Sequence, residues 1–153
     1  MQRAWLLEHL AVTVTRIDFV DPALADQPDV RERGVRIEVR PVESTRHGSG
    51  YSSPALDLAP ATCRIDLLES RADAADRMHW HPTMSSSGEP GDRVLDGALT
   101  ADPLGWLRLQ LLDVVPAPVA ADVVDAVAVG LAAVRSGSWG GVVHDVHGLA
   151  ELD

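Results

Sequence analysis

From Val35 to Arg40 the chain alternates without exception: Val35, Ile37 and Val39 take one parity, and Arg36, Glu38 and Arg40 take the other. In a β-strand successive side chains point to opposite faces, so this segment fits a sheet with one face on a core and one face toward water. The pattern recurs where Cys63, Ile65 and Leu67 alternate with Arg64 and Asp66. It recurs again where Met78 and Trp80 alternate with Arg77, His79 and His81, until Pro82 stops the run. Strands buried on both faces would be apolar throughout, so alternation implies an antiparallel sheet.

Other segments add to that sheet. His9 to Val20 reads as a strand with Val12 and Val14 on one parity and Ile17 and Phe19 on the other, which implies a bulge or burial on both sides. Between Leu104 and Val115, the alternation of Leu107, Leu109 and Leu111 with Trp106, Arg108 and Gln110 predicts a further strand. After Pro118 the period changes, because Val119, Val123, Val127 and Leu131 recur every four residues as in a helix. Pro118 suits its first turn, Arg135 the negative C-terminal end, and Gly137 a left-handed cap. The expected fold is α+β: a mainly antiparallel sheet of about five strands, open or curled into a barrel, packed by one long C-terminal helix. Residues 43–60 and 83–103 read as two long Ser-, Gly- and Pro-rich connections, a kind of segment that often covers a site. The tail from Trp139 reads as a strand or a short helix.

The 153 residues match the usual size of one domain, and the expectation is a single domain over 1–153. A formal charge of −10 opposes general nucleic-acid affinity, since phosphate contacts need clustered cations. The longest apolar stretch, Pro116 to Arg135, is broken by Asp122 and Asp125, which makes it a poor membrane span. The first twenty residues carry Arg3, Glu8, Arg16 and Asp18 where a signal peptide needs an unbroken apolar centre. With Cys63 as its one cysteine the chain forms no internal disulfide, and a cytoplasmic location is expected.

On the parity opposite the core, Arg36, Glu38, Arg40, Arg64, Asp66, Arg77, His79, His81, Arg108 and Gln110 share one surface if the registers align. His79-Trp80-His81 is the most pointed part of it. Two histidines one residue apart on a strand face the same way, with Cβ atoms roughly 6 to 7 Å apart. Their nitrogens can meet at one ion about 2.1 Å from each, while Trp80 anchors the reverse side. The motif resembles the His-x-His of cupins, the small β-barrel metalloproteins. The likeness covers these three residues and extends at most to Glu89, which stands eight positions after His81. The glycine that precedes the cupin pair is replaced by Asp73, and the residues around His144 and His147 do not match the second cupin motif.

His144 and His147, three apart, share a face if the tail is helical and add two candidate ligands. Asp66 or Glu38 would complete the shell or act as general base, and Arg36, Arg40, Arg64 and Arg77 would orient an anionic small-molecule substrate. Two histidines with a carboxylate suit iron, and more nitrogen ligands suit zinc. The leading function is therefore small-molecule chemistry at a divalent metal. Its rivals are a non-catalytic module that binds a ligand, a protein or a second copy of itself, and a metal-free cyclase- or isomerase-like enzyme with a histidine as acid or base. Cys63 reads as a buried structural thiol, and Gly48-Ser49-Gly50 as a loop without the residues of a nucleophile elbow or phosphate loop.

Overall fold

A computed structural model describes residues 2–20 and 31–137. Six strands, β1 (Gln2–Leu6), β2 (Leu10–Val20), β3 (Arg31–Thr45), β4 (Ala55–Leu58), β5 (Cys63–Glu69) and β6 (His79–His81), precede three helices, α1 (Gly97–Ala101), α2 (Pro103–Leu112) and α3 (Ala117–Ser136). All pairings are antiparallel, in the order β1-β2-β3-β5-β6, and β4 pairs with the far end of β3. The sheet is open, with β1 at one edge. At the other, the main chain of Val94 bridges both ways to Trp80 of β6.

The alternating segments at Val35–Arg40, Cys63–Leu67 and Met78–His81 fall where their patterns place them. Val12, Val14, Val35, Ile37, Ile65 and Leu67 are buried on one face of the sheet. They join Leu107 and Leu111 of α2 and Ala120, Val123, Val127 and Leu131 of α3 in one hydrophobic cluster. β2 pairs with β3 in unbroken register from Leu10↔Pro41 to Val20↔Arg31, so it carries no bulge, and Ile17 and Phe19 are half-buried on the opposite face. Gly34 is required by close approach, because a Cβ there would lie 1.9 Å from the Leu67 carbonyl oxygen.

Three expectations are corrected. The strand expected over Leu104–Val115 is the helix α2. Its spacing fitted both periods, and tertiary packing selected the helix: Trp106, Leu107 and Leu111 are buried, while Leu109 is 65% exposed. The Asp102 carboxylate caps it by accepting from Gly105 N at 3.0 Å, and Pro103 opens its first turn. Arg108 and Gln110 therefore stand on α2 and not on the charged sheet face. Gly137 ends α3 with φ −76° and ψ 164°, an extended and not a left-handed conformation. The two long connections also hold structure: the end of β3 and β4 in the first, a small hairpin and α1 in the second.

By length and composition α3 is apolar enough to cross a bilayer. Its inward stripe nevertheless packs on the sheet, and its C-terminal end is fastened there by charge. Glu69, fully buried at the end of β5, receives a two-pronged bond from the Arg135 guanidinium, which also reaches Asp73 Oδ1 at 3.1 Å.

Candidate metal centre

The pairing register turns three alternating strands into one surface. Arg36 stands opposite Asp66 across β3 and β5, and Asp66 opposite His79 across β5 and β6. One step along, Glu38 stands opposite Arg64, and Arg64 opposite His81. Asp66, Glu38 and His81 each thus have a guanidinium opposite, and His79 has the Asp66 carboxylate. Cross-strand pairs of opposite charge suit such a face.

Asp66, His79 and His81 are all buried, and one ligand atom from each lies within 4.8 Å of the others, close enough for a single ion. The rings meet edge to face with centroids 5.0 Å apart. Both are held through Nδ1 by main-chain carbonyls, His79 by that of Arg77 at 2.8 Å and His81 by that of Gly91 at 3.1 Å. A carbonyl can only accept, so Nδ1 carries a proton in each ring and Nε2 is the nitrogen left to face a ligand. Such outer bonds to a carbonyl are how metal-ligating histidines are commonly oriented. His79 Nε2 lies 3.5 Å from Asp66 Oδ2. Burial pushes the pKa of His79 below its ordinary value, and this outweighs the opposing pull of the Arg77 carbonyl bond and the Asp66 charge, so the ring is neutral.

The Gly91 carbonyl is delivered by the hairpin after β6, in which Met84 bridges Pro90 and Gly91 N donates to Thr83 O at 3.0 Å. A Cβ at position 91 would lie 2.7 Å from that same oxygen, so only glycine lets the hairpin close here. On the core side Trp80 packs against Trp106 with ring centroids 5.4 Å apart, as its place between two outward histidines requires.

No protein-family model, curated protein or solved structure matches the chain.

Around the triad the guanidiniums are held in place. Arg36 grips Asp66 with two bonds, Nε to Oδ1 at 2.7 Å and Nη2 to Oδ2 at 3.2 Å. Arg64 takes Oε1 of Glu38 at 2.9 Å, and Arg40 takes Oε2 of the same carboxylate. Burial acts to raise the Glu38 pKa, but the two arginines together outweigh it and hold the carboxyl below its usual range. Arg36, Glu38, Arg40 and Arg64, with Gln2, Thr13, Thr15 and Glu89, line a concavity of about 620 Å³ on this face.

Seven residues singled out in the sequence thus stand together: Arg36, Glu38, Arg40, Arg64, Asp66, His79 and His81. Arg77 precedes β6 and supplies its carbonyl to His79, and Glu89 sits on the rim of the concavity. His144 and His147 lie outside the described residues. Glu32 was missed, although its parity continues that of Arg36 through Gly34. Its carboxyl senses the charges of Arg93, Arg77, Asp66 and Arg36, and burial raises its pKa above the usual value. Cys63 lies on the core side of β5, half-buried, where desolvation raises its pKa, and it lines a small apolar cleft with Trp80 and Leu111.

Proposed function

We propose that this protein is a divalent-metal-dependent enzyme acting on a small molecule, with His79, His81 and Asp66 as the metal ligands. What carries the reading is the convergence of one ring nitrogen from each histidine and one carboxylate oxygen of Asp66 within 4.8 Å, each imidazole already held through Nδ1 by a main-chain carbonyl. Two histidines and one carboxylate form the donor set of ferrous iron and other divalent sites that keep open positions, whereas structural zinc sites are closed by four protein ligands. An ion bound there supplies a Lewis acid. The concavity formed beside it by Thr13, Thr15, Arg36 and Arg64 is within the usual size for a small-molecule site. Asp66 then serves as ligand, and Glu38 anchors Arg40 and Arg64. The absence of any disulfide partner for Cys63 suits the reducing cytoplasm.

The test is elemental analysis of untagged protein purified without chelator or nickel. The wild type should carry about one equivalent of iron, zinc or manganese, and His79→Ala and His81→Ala should carry none while keeping the circular dichroism of the fold. A metal-free wild type that takes up none of these ions on their addition would remove the metal from the reading. The concavity would then remain as a metal-free site.

A further inference from the structure

We infer that the concavity beside the triad is a binding site for a small oxyanion, a carboxylate or a tetrahedral phosphate or sulfate group, and that its affinity rises when the metal binds. The inference rests on the proposed metal site and adds both the ligand class and the coupling. Charge is the first argument. One carboxylate, Asp66, cannot neutralise a divalent ion, and the neighbouring concavity carries three guanidiniums, Arg36, Arg40 and Arg64, against the two carboxylates of Glu38 and Glu89. Once loaded, this group of residues has an excess of positive charge in a partly desolvated place, where such an excess calls for an anion. Geometry is the second argument. Arg36 and Arg64 both spend their Nε and Nη2 edges on carboxylates, and both line the concavity. A guanidinium has five N–H donors, and among the described residues Nη1 of Arg36 and of Arg64 makes no hydrogen bond, which leaves it for a ligand in the concavity that Thr13 and Thr15 also line.

The coupling comes from Asp66 Oδ2, which faces two partners at once, Arg36 Nη2 at 3.2 Å and His79 Nε2 at 3.5 Å. An ion that joins His79 and His81 takes up this oxygen. The Arg36 bond to Oδ2 is the longer of its two, and it is the one lost, while the 2.7 Å bond to Oδ1 keeps the side chain in place. The released N–H turns to the concavity. In the metal-free protein Asp66 and a bound anion compete for Arg36, and in the loaded protein they do not. Linkage requires the reverse as well: an anion in the concavity must tighten the metal by the same factor.

The experiment is a calorimetric cycle on the wild-type protein. Sulfate and, separately, succinate are titrated into metal-free and zinc-loaded protein, and zinc is titrated with and without saturating sulfate. At least one of the two anions should bind about tenfold or more tightly to the zinc-loaded form, and zinc should tighten by an equal factor in its presence, within the usual range of site coupling. Preference for sulfate assigns a tetrahedral oxyanion and preference for succinate a carboxylate. Arg64→Gln should weaken the anion in both states, and Arg36→Gln should abolish the coupling. Equal anion affinity in the two states, zinc being bound, overturns the inference and leaves the metal site standing. No zinc binding overturns both. Because the cycle needs no variant, a substitution that fails to fold does not remove the test.

Discussion

Asp66 is the residue on which the candidate site turns. At 1% exposure it is buried as deeply as the core leucines, yet it is charged, and it is tolerated there because Arg36 supplies two hydrogen bonds and His79 sits beside it. Its neighbours make the metal-free fold sensitive to acid in two steps. The folded-state pKa of His79 lies below the ordinary 6.5, so as pH falls under 6.5 the unfolded chain takes its proton first and stability declines. Glu38 titrates below the ordinary 4.5, so its contribution is present above that value and is lost as pH falls through the depressed one. Urea midpoints from about pH 8 to about pH 2 should therefore fall in two stages, and His79→Gln should flatten the first while leaving the second. An unchanged first stage in that variant would assign it to another group.

At the scale of elements, β5 joins the two layers. Its outward residues Arg64 and Asp66 belong to the candidate site, its inward residues Ile65 and Leu67 to the core, and its last residue, Glu69, fastens the end of α3 through Arg135. Glu69 has no exposure, so Arg135→Ala would leave a buried carboxylate without its counter-charge, held among the described residues only by the Asp73 N–H at 3.0 Å, and should cost about 3 kcal/mol in urea unfolding. Replacing both partners with leucine removes the stranded charge and should recover most of that loss. If the single variant costs less than about 1 kcal/mol, the pair behaves as a surface ion pair and does not hold the helix end. The hairpin after β6 matters in a different way: it adds little apolar area, but its Gly91 carbonyl fixes the tautomer of His81.

For the whole molecule, the sheet divides the protein into an apolar layer under α2 and α3 and a charged layer that carries the triad and the concavity. Metal bound to the folded chain alone stabilises it by mass action, about 2.7 kcal/mol at a hundredfold excess over Kd. In a chain of this size that raises Tm on the order of 5 to 10 °C. Calorimetric scans with added zinc should show this rise, chelator should cancel it, and His81→Ala should show none of it. Much of this layout was legible in the chain. Strict alternation at Val35–Arg40, Cys63–Leu67 and Met78–His81 determined which residues face the core, because strand period depends only on backbone geometry. That was enough to put Arg36, Glu38, Arg64, Asp66, His79 and His81 on a shared parity and to mark the histidine pair as candidate ligands. Other features depended on distant partners. Leu104–Val115 fits two periods, and only packing under the sheet made it a helix. β1 is short and alternates weakly, so pairing with β2 defines it. The choice of Asp66 over Glu38 beside His79 came from the β5–β6 register, and the orientation of both rings came from carbonyls at Arg77 and Gly91. Local pattern sets the face a side chain takes, whereas the neighbour it meets there is set by register between strands that are far apart in sequence.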